Sequence, residues 1–398
     1  MRRFGMLAVA VLLAGACSTS DDPASEIDRL VVVDGDEVVT MDPSGEDRVT
    51  VGADVGGRPF QPIWSHDGSS VAYSFSSLDG DFGIAVADAA TGVAESVSAP
   101  TNVFYLQWSP AGDRVATLRN HEEGGVALDL VTTGESGVTR DLVDDGDSYY
   151  LTWSPNGEDI AVHVGASRFE LFSDGEFESL DDAPGSFQAP MWVDDSIYGI
   201  SADGERRELT GYERDGEPEA LAVVSGPTSF HVSPDRRRVA LQSLGTGGVI
   251  EAGVRRIQAD GDPVPPNGVY VVDLDSGEAT QVHDDLVTGF WWSPDGERLL
   301  LLHLPEGSTN EFEWLVWEDG TVTEGPRFAL TGGWVQDFIP FLDQYNRSMT
   351  PWSPDSTSIA FPGTVDDEAG IWVAEVGTDA EGDPQKVSDG TWVAWSWS

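Results

Sequence analysis

The sequence predicts an all-β fold assembled from repeated four-stranded units, and three observations carry that prediction. A Trp-Ser-Pro-Asp-Gly segment recurs along the chain, the runs between its copies are short and rich in Val, Ile and Ala, and no long stretch after residue 20 shows a helical period. The 40% hydrophobic and 10% aromatic content marks a chain that folds rather than a disordered acidic one. The length of 398 residues does not by itself set a domain count, because all-β folds commonly exceed about 200 residues as one unit.

The copies begin at Trp64-Ser65-His66-Asp67-Gly68, followed by Val71-Ala72-Tyr73. They continue at Trp108, at Trp153, in a worn form at Trp192-Val193-Asp194-Asp195, and at Val232-Ser233-Pro234-Asp235. Trp292-Ser293-Pro294-Asp295-Gly296 and Trp352-Ser353-Pro354-Asp355-Ser356 follow, and Trp395-Ser396-Trp397 opens one more. Successive copies lie 44, 45, 39, 40, 60, 60 and 43 residues apart, the spacing of propeller blades. The residues before Trp form one strand. Pro-Asp-Gly supplies the fixed φ, the side-chain turn bond and the permissive φ of a tight reversal, and Val/Ile-Ala-hydrophobic begins the next strand. Gly83–Val86, Gly268–Asp273 and Gly370–Val373 read as third strands, and Ala279–Val282 as a polar outer fourth.

At the start of the chain, Leu30–Val33, Glu37–Met41 and Asp47–Val51 look like a unit lacking its first strand, which the last residues, 393–397, resemble. Pairing them closes a ring and removes two exposed edges. The count is eight four-stranded blades in a single β-propeller, or seven if the Trp192 copy is not a true blade. These Trp-Ser-Pro-Asp-Gly repeats resemble the TolB-type, WD-repeat-like propeller family, over residues 29–398. The resemblance implies partner binding in the cell envelope. That family's separate N-terminal α/β domain has no counterpart here, so its particular partner is not carried over.

Residues 1–16 read as a signal peptide. Arg2 and Arg3 form the positive end, Leu7–Leu13 the apolar stretch, and Ala14-Gly15-Ala16 the small-residue exit. The apolar stretch is too short to span the roughly 30 Å hydrocarbon core. Leu13-Ala14-Gly15-Ala16-Cys17 resembles the bacterial lipobox, which implies that Cys17, the sole cysteine, is lipidated. Residues 17–28 then form the lipidated end and a polar tether, and the protein is expected on the outer face of the cytoplasmic membrane, in the cell envelope.

Seventy Asp and Glu against 21 Lys and Arg leave a formal charge of −49. Such a surface repels phosphate backbones, which excludes nucleic-acid partners, and its self-repulsion favours a monomer. The same repulsion relaxes under screening, so adaptation to high salt is an open reading that melting curves from dilute to molar salt test.

No Gly-x-Ser-x-Gly elbow appears, and the six histidines are scattered over different repeats without zinc-ligand spacing. The expectation is therefore no enzyme, no catalytic residues and no metal. Asp144-Asp145-Gly146-Asp147 and Asp34-Gly35-Asp36-Glu37 are a weak Ca²⁺ possibility, read first as solvated turns.

The two 60-residue intervals carry insertions. Residues 244–267 include Arg255 and Arg256; residues 329–349 include Trp334, Phe338, Phe341, Tyr345 and Arg347, with a short helix around Phe338–Tyr345. Two readings of the second insertion stand side by side. Either it is a plug that buries its aromatics, or these residues form a recognition surface. The arginines either pair with nearby carboxylates or receive an anionic ligand. The function expected is a non-catalytic, membrane-tethered platform for a protein or envelope component. The alternative is a small-molecule sensor or hydrolase that uses the central channel.

Overall fold

A computed structural model describes residues 28–134, 137–165, 167–181, 184–185, 187–203, 206–214, 216–224, 226–243, 255–256, 268–377 and 383–397. The leader, Cys17 and all of the tether except Asp28 lie outside the described residues, as does most of the first insertion.

The fold is a β-propeller of consecutive antiparallel meanders. The first full one runs outward through Arg58–Trp64, Ser70–Ser76, Phe82–Asp88 and Ala94–Ala99. Equivalent sheets start at Val103–Trp108, Tyr149–Trp153, Met191–Val193 and Thr228–Val232. The worn Trp192 copy therefore heads a genuine four-stranded sheet. Hydrogen bonding gives seven sheets among the described residues. One of them has seven strands and spans the Trp292 and Trp352 copies, joined by the pairs Ala329↔Thr364 and Leu330↔Gly363.

The ends meet as the sequence implies. Trp392–Trp395 pairs antiparallel with Leu30–Asp34, in the register Leu30↔Trp395 and Val33↔Trp392, completing the sheet of Glu37–Met41 and Val49–Val51. The innermost strand of that sheet thus comes from the far end of the chain.

The repeated tryptophan has a definite mechanical role. Its indole N–H donates to the carbonyl just before the motif position of the preceding copy. The bonds run from Trp108 to Ile63 (3.3 Å), Trp153 to Gln107 (3.1 Å), Trp292 to His231 (2.7 Å), Trp352 to Trp291 (3.2 Å) and Trp64 to Ala394 (3.2 Å). Four are buried and the Trp292 bond is part-buried, and each satisfies an inner-strand carbonyl that has no strand neighbour on that side. Trp192 instead reaches Asp194 of its own turn, and Val232 has no indole to offer.

The turn behaves as its chemistry requires. Ser65 and Ser353 each donate to the Asp two residues on, at 2.7 Å, and that Asp accepts the backbone N–H of Ser69 or Thr357. The fifth position is left-handed, with φ of +69° at Gly68 and +73° at Gly296; Arg236 and Ser356 adopt it at +59° and +63° without glycine's freedom.

The Asp-rich segment at 144–147 is not the open turn expected. Its first residues end the strand Thr139–Gly146, and Asp144 accepts bonds from Tyr149 (2.6 Å) and Arg168 (3.0 Å), which use its oxygens for packing between sheets. Asp34 is a strand end paired with Arg48 at 2.9 Å. Among the described residues, no group of three His, Cys, Asp or Glu side chains is arranged to hold a metal ion.

Candidate functional site

The two insertions go to different places. Arg255–Arg256 forms a fifth strand against Glu278–Ala279 at the outer edge of its sheet. The second insertion fills the propeller axis. It turns through Trp334–Phe338, Ile339–Phe341 and Leu342–Tyr345, so the short helix anticipated near Phe338–Tyr345 is present as three successive turns of different pitch.

Trp334 and Phe338 are fully buried and Tyr345 is 2% exposed. Phe338 packs tilted against Trp334 and Tyr345 and edge-on to Trp392, at 4.4, 5.0 and 5.6 Å between rings. The surface reading of these three residues is thereby corrected, because rings sealed in the core cannot anchor a partner. Only Phe341, 44% exposed, keeps a free face.

The plug is bolted to inner strands on several sides. The Gln344 side-chain amide takes the place of a strand neighbour for Leu151, accepting its N–H (2.7 Å) and donating to its carbonyl (2.9 Å), and also donates to the Tyr105 hydroxyl (2.8 Å). Tyr345 donates to the Phe104 carbonyl and Asn346 to that of Phe290. Arg347 donates to the carbonyls of Pro190, Ala189 and Phe230.

The plug divides the axis into two chambers. On the face opposite the motif turns lies a groove of about 390 Å³ beside Phe341, walled by Phe104, Tyr150 and Phe187. Three of its hydroxyls, on Tyr149, Tyr105 and Tyr345, have hydrogen-bond partners.

The other chamber, on the motif-turn face, is a bowl of about 440 Å³. The residue two places after the motif Trp, or its stand-in, lines it in all eight copies, and five of those residues are proline. The exceptions are His66, Asp194 and Trp397. His66 stacks flat on Trp397, with rings 5.4 Å apart, and Asp194 is paired with Arg236 at 2.8 Å. Asn346, Arg347 and Thr350, the end of the plug, close the floor.

Six side chains lining the bowl keep a buried polar atom without a partner among the described residues: His66 Nδ1, Gln107 Oε1, His231 Nδ1, Trp291 Nε1, Asn346 Oδ1 and Arg347 Nη1. None of the side chains lining the opposite groove does. Buried unpaired polar atoms each cost roughly 1–3 kcal/mol unless a ligand or water meets them, so these six make the bowl the candidate binding site.

The charges are unusual too. Every side-chain hydrogen bond of Arg347 goes to a backbone carbonyl, and no ion pair includes it among the described residues. Burial lowers its guanidinium to about 10, opposed chiefly by Asp343, so it stays cationic at neutral pH. Burial, with Arg347 adding to it, pushes the His231 imidazole down to about 3; burial also lowers His66. The bowl thus presents Arg347 among neutral imidazoles and amides, with the one carboxylate of its lining, Asp194, already paired with Arg236 at the rim.

The comparisons agree on architecture. The chain is similar to a crystal structure of a eukaryotic initiation factor, 12% identical over 93% of this chain and 98% of that one, with a TM-score of 0.58. It is also similar to an oligogalacturonate lyase in complex with manganese, 11% identical over 84% and 86%, with a TM-score of 0.50. TolB from Acinetobacter baumannii matches 67% of this chain and 66% of its own at 14% identity and a TM-score of 0.42, too loose a likeness to bear on function. No protein-family profile and no curated protein matches the sequence. At such identities the shared feature is the fold alone.

Sequence reasoning singled out Arg347 but missed Gln107, His231, Asn346 and Thr350. Gln107 and His231 come from separate repeats and meet Asn346 and Thr350, neighbours of Arg347 in the chain, only because the ring brings inner-strand ends around the plug. One signal was available: the position that is proline in most copies is His66, Asp194 and Trp397 elsewhere, which marks the rim.

Proposed function

We propose that this chain is a binding protein of the cell envelope, tethered through Cys17, that receives its ligand in the bowl on the motif-turn face of an eight-bladed, TolB-like propeller. The observation that carries the reading is the cluster of six unpartnered polar atoms on one chamber of a plugged axis. The eight-blade count is supported by the eight rim residues, the seven-stranded sheet being two blades joined along Ala329–Leu330. A non-catalytic role is supported by the character of the bowl, where the imidazole of His231 is held neutral far below the range useful for proton transfer near pH 7. The expected broad platform shifts to an axial site, because three of the aromatic anchors it needed are sealed inside the plug.

A photocrosslinking residue placed at Thr350, in the bowl, and separately at Phe341, on the opposite face, tests this in intact cells. Capture of a defined adduct from Thr350 but not from Phe341 supports the reading. Capture from Phe341 alone, or from neither, overturns it.

A further inference from the structure

We infer that the ligand of the bowl is a small monoanion that also carries hydroxyl or N–H donors, bound with its carboxylate or phosphate on Arg347. The inference rests on the bowl being the binding site and specifies what it selects. Its first support is a cation that has no ion-pair partner among the described residues, Asp343 acting on it only from beyond contact distance. Holding a buried guanidinium without a contacting carboxylate is costly, and this chain has 70 carboxylates from which a closer partner could have been drawn. Elsewhere it uses them: Arg119 and Arg140 share the buried Asp129 at 2.7 and 2.9 Å, and Arg214 takes Asp159 at 2.8 Å. At Arg347 the backbone carbonyls of Pro190, Ala189 and Phe230 fix the guanidinium in place but leave Nη1 without an acceptor.

The second support is the complementary set beside it. Asn346 Oδ1 and Gln107 Oε1 are acceptors without donors. A simple inorganic anion offers them nothing; a molecule with hydroxyl or amide N–H groups satisfies both. The stacked His66–Trp397 pair and the prolines supply a flat apolar wall at the rim, suited to a ring or short carbon skeleton. About 440 Å³ lies in the range of small-molecule pockets.

The third support is selectivity by field. The chain as a whole carries a formal charge of −49, so each charge on a ligand beyond the one that meets Arg347 is repelled. That favours monoanions over polyphosphates and excludes extended polyanions.

The test is titration calorimetry on the full propeller with two matched pairs: D-glucuronate against D-glucose, and N-acetylalanine against N-acetylalanine amide. A buried charge-assisted hydrogen bond corresponds to an acid preference of about tenfold to a hundredfold. At least one acid is expected to bind with that preference. Arg347→Met should erase it, and Arg347→Lys should retain part of it. Because Arg347 also holds three carbonyls, Thr350→Asp serves as a second variant. Its carboxylate can still accept the Trp352 N–H that Thr350 Oγ1 accepts at 3.2 Å, while giving Arg347 an internal anion. Loss of acid binding in folded Thr350→Asp supports the proposal. Neutral members binding as well as or better than the acids, with amide protection at residues 346–350, overturns the anion inference and leaves the bowl standing. No binding by any of the four probes overturns the inference, and the crosslinking result then decides the bowl separately.

Discussion

Replacing Trp64 and Trp395 by phenylalanine, one at a time, separates packing from clamping. Both indoles are 1% exposed and occupy the same motif position in adjacent copies. They differ in one respect. Trp64 donates across the sheet boundary to the Ala394 carbonyl at 3.2 Å, whereas Trp395 Nε1 is buried without a partner among the described residues. Each change removes a similar volume, so the cavity cost is shared. Trp64→Phe additionally loses a hydrogen bond worth about 0.5–1.5 kcal/mol net and leaves a carbonyl on the closing strand unsatisfied. Trp395→Phe removes a buried N–H that had no partner. The expected gap is about 1–2 kcal/mol, with Trp64→Phe the less stable. Urea unfolding followed by circular dichroism reads it as a lower midpoint at similar slope. Equal midpoints, or a lower one for Trp395→Phe, refute the idea that indole clamps hold neighbouring sheets together.

Removing residues 392–398 takes away the strand paired with Leu30–Asp34, including two tryptophans whose individual loss costs about 3–5 kcal/mol each. A large fall in melting temperature and a tendency to aggregate through the bared edge are expected, and unchanged melting rejects the closure. Phe338→Ala should cost about 3–5 kcal/mol in chemical denaturation because it empties the centre of the plug. Phe341→Ser, on the exposed rim of the opposite groove, should cost less than about 1 kcal/mol; similar losses for both contradict the buried plug. Acidification should act in two stages. His66, His163, His231 and His283 all have imidazoles lowered from 6.5, chiefly by burial, so the unfolded chain takes up protons first and stability falls as pH drops below 6.5. His231, lowered to about 3, withdraws on the order of 4 kcal/mol by pH 3, at roughly 1.4 kcal/mol per unit. The turn carboxylates Asp67 and Asp355 are lowered because bonds from Ser65, Ser69, Ser353 and Thr357 outweigh their burial, and they add a second loss below 3.8. Denaturation midpoints flat from pH 7 to 4 contradict the first stage.

Much of the fold was legible because the propeller writes its period into the chain. The Trp-Ser-Pro-Asp-Gly turn repeats for a local reason, the Ser-to-Asp bond and the left-handed fifth residue, so it survives even where Arg236 and Ser356 replace glycine. Ring closure was legible because Leu30–Val33 lacked a first strand and residues 393–397 supplied one. The axial site was far less visible. Gln107 and His231 share the position just before the motif residue, but nothing in that position names a site, and Asn346 lies in an insertion outside the repeat; their meeting depends on ring geometry rather than on helix or strand period. The aromatics at Trp334, Phe338 and Tyr345 were ambiguous for a physical reason: a plug and a recognition patch demand the same residue types, and only burial tells them apart. Asp144 misled because an acidic run in a chain this charged looks like a turn, while its neighbours Tyr149 and Arg168 make it part of a packed strand end.

If the bowl floored by Asn346, Arg347 and Thr350 is where this protein binds, a crystal of the propeller soaked with whichever of the four calorimetry probes binds best will hold that probe there. Its anionic group is expected within hydrogen-bonding distance of Arg347 Nη1 and its donors on Asn346 Oδ1 or Gln107 Oε1. Density for the probe in the groove beside Phe341, with the bowl holding none, contradicts this placement.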